Sequence, residues 1–220
     1  MSFFESVSSQ RFLAAPSAAL SGLVIAYDLH PPCESHPILR DYVTVSLTRR
    51  GSFVAGPDSA ARNVDAAEDH ILIIRLSALG WTQFMHKNCS LLVDCSAPLE
   101  QINSALAAKF DEAANNGGDA ETLRDRLDAI LLRHLAAKTW HRDLPLVSRI
   151  SGLIAHPDLN RIDDMCDLLD IDHARLARIC RRAFGFSPKF LMRRQRLQSM
   201  VAELDRRAYA EWRQFLDPRY

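Results

Sequence analysis

Residues 172–188, DHARLARICRRAFGFSP, set four arginines into a run whose apolar residues recur at helical spacing, and Gly-Phe-Ser-Pro closes it. A step of about 100° per residue puts Leu176, Ile179, Cys180 and Ala183 on one side and Ala174, Ala177, Arg178 and Arg181 on the other. The first side has to pack, and the second has to face out. Arg175 and Arg182 fall together on one flank of the outward face, where guanidinium groups can reach phosphate oxygens without entering a groove. Small alanines beside them suit close approach to DNA. Taken alone, such arginines describe an ordinary solvated helix with a basic face. What precedes them adds weight. Asn160 and Asp163 are spaced like a capping pair, so a short helix is expected there, with Ile162, Met165, Cys166 and Leu169 on one face. Asp170, Ile171 and Asp172 make a turn, and the Asp172 carboxylate caps the next helix with His173 at its first position. The pattern is a helix-turn-helix with cations on one face.

At these residues the chain resembles the AraC/XylS family of bacterial transcription regulators. Leu168-Leu169-Asp170-Ile171-Asp172, then Leu176, Arg178, Arg181-Arg182, Gly185, Ser187-Pro188 and Arg196-Leu197 fall where that family places the landmarks of its first helix-turn-helix. The resemblance implies a reader of two such units joined by a long helix. Lys189 to Leu204 has the length, apolar spacing and basic residues of that connector, with Pro188 as its first residue and Ser187 as cap. It also implies DNA contacts from Ala174, Arg175, Ala177, Arg178, Arg181 and Arg182, joined by Arg193 and Arg194 of the connector.

Three departures stand out. Asp170 replaces the usual turn glycine, and tolerates a left-handed backbone less freely than glycine does. Cys180 replaces an inward phenylalanine, which loosens the small core unless Phe184 or Phe190 fills the space. Trp212 to Tyr220 resembles the first helix and turn of the second unit, and the sequence stops where its recognition helix is expected. A reader lacking that unit loses base and phosphate contacts together; each lost phosphate contact removes roughly 0.9 from the slope of log affinity against log salt, and only weak binding is expected at physiological salt.

The formal net charge is zero, but it is unevenly spread. From Trp140 onward fifteen Lys/Arg face eleven Asp/Glu, against twelve and sixteen before it. Between His173 and Arg213 eleven cations face three acids, which is an electrostatic footprint for a polyanion. The five cysteines show no CxxC spacing and read as reduced thiols of a cytoplasmic protein. The N-terminus lacks the basic start and apolar run of a secretion signal, and no run approaches the roughly 20 apolar residues of a membrane span.

Leu23–Asp28, Tyr42–Thr48, Ser52–Ala55 and His70–Leu76 are short, rich in Val, Ile, Leu and Thr, and separated by turn residues, so they are expected to be strands. Short helices follow at Gly80–His86 and from Pro98 through Phe110, and Asn115 to Asp119 breaks the chain. From Ala120, Leu123, Leu127, Ile130, Leu131 and Leu135 describe an amphipathic helix that packs either within the domain or on another subunit. Ala137 to Leu144 is the expected boundary, and Leu146, Ile150, Leu153 and Ile154 give the leading helix of the second region. The fold class expected is α+β: a β-rich N-terminal regulatory domain with a helical extension (1–139), followed by an all-α helix-turn-helix domain (140–220). Ile74-Arg75-Leu76, Gly80-Trp81 and Ala97-Pro98-Leu99 resemble, more weakly, sensor-type domains of one branch of the same family. That implies regulation by a signal, such as an unidentified small-molecule effector, or by self-association as a homodimer through the N-terminal region.

No GxSxG, Walker loop or GxGxxG is present, so no enzyme is expected, and no cofactor either. Asp163 and Asp164 are adjacent on a helix and do not face each other, so they are no catalytic pair. His30 and His36 straddle prolines, while His70, His86 and His134 are isolated, so no metal site is expected. The function expected is sequence-specific binding of double-stranded DNA, with the helix at about 173–184 in the major groove. The rival is a ligand-sensing or protein-interaction module whose DNA binding is weak or lost.

Overall fold

The computed structural model describes residues 12–29, 37–38, 40–48, 50–63, 70–117, 119–137, 140–156, 159 and 161–206. The fold is mixed α+β. Strands β1 (Phe12–Ala14), β2 (Val24–Leu29), β3 (Pro37–Ile38), β4 (Val43–Thr48), β5 (Gly51–Ala55), β6 (Arg62–Asn63), β7 (His70–Leu76) and β8 (Ser96–Pro98) all precede residue 99. Six form an antiparallel sheet in the order β1-β2-β7-β4-β5-β8, and β3 pairs with β6 apart from it. The four strands expected from sequence are β2, β4, β5 and β7, each within one residue of the expected ends. β1, β3, β6 and β8 are only two or three residues long, too short for an alternating pattern to register.

Register fixes which residues share a face. Tyr27, Ile74, Val45 and Val54 stand side by side across four strands and are all buried. Against them lie α2 (Leu99–Asn115) and α3 (Ala120–Ala136), which supply Leu106, Phe110, Leu123, Leu127 and Leu131 to the same core. The amphipathic stripe of α3 is thus consumed inside the chain. Asp119 caps α3, its carboxylate accepting from the Thr122 amide at 2.8 Å. The buried Asp128 accepts from the Tyr27 hydroxyl and from the Ser17 amide, so one carboxylate ties α3 to the sheet. α2 runs five residues beyond the expected Phe110, and it bends at Asn103, whose side chain takes the Phe84 carbonyl and caps Leu106 instead of continuing the helix.

The opposite face of the sheet carries Asp28, Thr44 and Ser46, all buried. Asp28 pairs with Arg75, whose guanidinium lies 5.3 Å from the Tyr42 ring centre. Helix α1 (Ala78–Phe84) follows β7, capped by the Ser77 hydroxyl. Gly80 lets it sit on the β2 approach: a Cβ there would lie 2.1 Å from the Leu23 carbonyl oxygen. A one-turn 3-10 helix at Cys89–Leu92 leads into β8.

A second apolar cluster is built from α4 (Leu144–Ile154), α5 (Ile162–Leu169), α6 (His173–Phe184) and α7 (Pro188–Arg206). Leu79 of α1 packs against both clusters, and Ala78 and Val93 pack against the second. The helices are therefore seated on the sheet through α1 and the segment after it. Among the described residues no helix is long and apolar enough to cross a membrane.

Candidate nucleic-acid interface

α5 begins after Arg161, in extended conformation and without a side-chain cap bond. The expected capping partner Asn160 lies outside the described residues. Asp163 does something different from capping: its carboxylate meets Arg161 at 3.1 Å and His173 at 3.0 Å, tying the start of α5 to the start of α6. Those partners hold the Asp163 pKa below its ordinary value, the hydrogen bond from Arg161 first.

α5 ends in a left-handed residue, Asp170, at φ 55° and ψ 51°. The Ile171 amide then donates back to the Cys166 carbonyl at 3.2 Å, the closure expected of a helix that turns sharply. Asp172 follows in extended conformation, and its carboxylate accepts the Arg175 amide at 2.6 Å. This cap starts α6 at His173, as the sequence requires.

The faces of α6 fall as the spacing demands. Leu176, Ile179, Cys180 and Ala183 are buried against Met165, Cys166 and Leu169 of α5 and Val147 and Ile150 of α4. Burial pushes the Cys180 thiol up to about 12, so it acts as a small apolar group. Ala174, Arg175, Arg178 and Arg181 are exposed, and Ala177 is half-buried beside them. No acid lies within the helix, so three guanidinium groups and two small residues form one open face.

The cluster that contains Cys180 takes Phe184 and Phe190 half-buried against it. Phe186 is buried and stacks on Phe190 with ring centres 4.3 Å apart. The sequence showed Phe186 only as part of Gly-Phe-Ser-Pro. Gly185 closes α6 at φ 86°. The Ser187 hydroxyl accepts from the Phe190 amide at 3.3 Å, so α7 starts at Pro188 as expected.

Two expected site residues are placed otherwise. Arg182 is half-buried; its Nη2 meets His141 Nε2 at 3.1 Å, and its Nη1 lies 3.8 Å from Asp143. His141 itself accepts the Asp143 amide on Nδ1 at 3.2 Å and donates its own amide to Gln83 of α1 at 2.9 Å. Burial and then the Arg182 charge lower the His141 pKa below its ordinary value. Arg194 is the larger correction. It is only 7% exposed, against the expected phosphate contact, because its side chain is turned to the loop that follows β5. Its Nη1 donates to the Asp58 carbonyl at 2.9 Å. Arg193, on the next position round the helix, is exposed. Helical spacing alone could not separate the two, because the surface covering Arg194 comes from residues over a hundred positions away.

Among the described residues no group of three or more His, Cys, Asp or Glu could hold a metal. His30 and His36 lie outside them. Trp212 to Tyr220, where the resemblance to a second unit falls, also lies outside them. No family model, curated protein or solved structure matches the chain.

Proposed function

We propose that the chain is a sequence-specific DNA-binding transcription regulator of the AraC type. In this reading residues 1–139 are a β-rich regulatory domain with a helical extension, and residues 140–220 belong to the helix-turn-helix reader. One observation carries it: Ala174, Arg175, Arg178 and Arg181 stand exposed on the side of α6 opposite its buried residues, behind a capped left-handed turn. That face enters the major groove with Arg178 and Arg181 nearest the base edges, where guanidinium groups favour guanine, and Arg175 and Arg193 lie at phosphates. The same reading gives the N-terminal region a sensing role for a small-molecule effector. A homodimer through the N-terminal region would use a surface other than the α3 stripe, which is spent on the core.

The second reading, a sensing or protein-interaction module with weak DNA binding, draws support from the internal engagement of Arg182 and Arg194. Fluorescence anisotropy on mixed-sequence duplex DNA at low and moderate salt separates the two. Arg175→Ala should flatten the plot of log affinity against log salt by about 0.9 for one lost phosphate contact. Arg178→Ala with Arg181→Ala should weaken binding further and abolish enrichment of any preferred sequence from a random pool. Binding and salt slope that ignore all three changes would remove the DNA-reading function in favour of the second reading.

A further inference from the structure

A helix lying in a major groove has a phosphate strand along each flank, and the two flanks of α6 are not alike. At about 100° per residue His173 falls about 200° round the helix from Arg175, so the two stand on opposite flanks. Arg175 serves one strand. The other flank, toward α5, carries no arginine of α6: the residues in line with His173 are Ala177 and Phe184. The cations on that side are gathered by one acid. The Asp163 carboxylate meets Arg161 at 3.1 Å and His173 Nε2 at 3.0 Å, and all three side chains are exposed. The other acids beside them are Asp164, next to Asp163 on α5, and Asp172, whose carboxylate is turned to the Arg175 amide. The hydrogen bond from Arg161, and then the charge of His173, hold the Asp163 carboxyl below its ordinary value, so it is ionised wherever histidine titrates. An ionised carboxylate only accepts, so Nε2 carries the proton of the neutral ring and Nδ1 is left as an acceptor.

We infer that Arg161, Asp163 and His173 form a proton-gated phosphate contact on this flank, open to phosphate when the imidazole is protonated and closed to it when the imidazole is neutral. The inference rests on the DNA-binding reading above and supplies its response to pH. With a neutral ring the charges of Arg161 and Asp163 cancel, and Nδ1 turns a lone pair toward an approaching phosphate. The added proton goes to Nδ1. It makes that atom a donor and gives the trio a net positive charge. Histidine is the side chain whose charge ordinarily changes near neutrality. A polyanion favours the protonated state, so binding takes up a proton and affinity rises as pH falls.

The test uses the full chain and mixed-sequence duplex DNA, with fluorescence anisotropy read across a salt series at about pH 6 and about pH 8, either side of the histidine range. At the lower pH affinity should be at least about threefold higher and the salt slope steeper by up to about 0.9, the worth of one phosphate contact. His173→Gln should lose that steepening. His173→Lys, charged at both pH values, should have the steep slope throughout and bind at the higher pH as tightly as the wild-type chain does at the lower. Calorimetry in two buffers of different ionisation enthalpy should find more proton uptake on binding in the wild-type chain than in His173→Gln. A slope that does not change with pH in the wild-type chain, or a steepening that His173→Gln keeps, would overturn the inference while arginine-dependent binding persisted. Loss of the DNA-reading function would show differently, as binding indifferent to Arg178 and Arg181 at both pH values.

Discussion

Asp172 carries two separable contributions to α6, a hydrogen bond and a charge, and two substitutions isolate them. Its carboxylate accepts the Arg175 amide at 2.6 Å, satisfying one of the amide groups that the first turn leaves without a helical partner. Asp172→Ala removes both contributions and should cost about 1–1.5 kcal/mol, the usual worth of a cap plus the smaller gain of a negative charge at a helix start. Asp172→Asn keeps an oxygen at the same place and loses only the charge, which is worth about 0.3–0.5 kcal/mol at an exposed site. For a chain of this size each kcal/mol shifts the melting temperature by about 2–4 °C. The alanine variant should therefore melt about 2–6 °C lower and the asparagine variant about 1–2 °C lower. Hydrogen exchange of the Arg175 amide reads the same difference locally, quickening far more in the alanine variant. DNA binding gives an independent check. Both variants lose an acid beside the cation face, so the asparagine variant should bind duplex slightly more tightly than wild type, and the alanine variant less tightly than the asparagine one because its first turn frays. Equal melting of the two variants would refute the assignment of Asp172 as the cap.

Gly185→Ala should destabilise the chain by about 1–2 kcal/mol from the left-handed backbone alone, and the contact of the new Cβ with Val93 should add to that, read by thermal melting. His141 has its pKa lowered in the folded chain from the ordinary 6.5, so the unfolded chain binds the proton more readily. Its contribution to stability is complete above about that value and is lost as pH falls below it toward the folded pKa. Denaturation measured across pH should show this decline, and His141→Gln should flatten it; an unchanged acid limb would show that Arg182 and burial do not act on the ring.

The turn and α6 were legible because every signal there is local. Asp172 lies three residues from the amide it caps, Asp170 turns its own backbone, and the apolar period of Leu176, Ile179, Cys180 and Ala183 is set by helix geometry whatever packs on it. The same holds for the four longer strands and for α3, whose leucine spacing required a partner without naming it. The short strands escaped notice because two or three residues carry no period. The spacing makes Asp163 a capping partner of Asn160, whereas its partners in the structure, Arg161 and His173, lie at the start of α5 and the start of α6.

By itself the sequence determined the polarity of α6, with its apolar side inward and Ala174, Arg175, Arg178 and Arg181 outward, because side-chain direction on a helix follows from position alone. Only the tertiary structure decided that Arg193 stays exposed while Arg194 is sealed against Asp58, and that Arg182 turns to His141 and Asp143. Those outcomes depend on which distant surface covers a flank of the helix, and residues 58 and 194 become neighbours only when the sheet and the helices have both folded and docked.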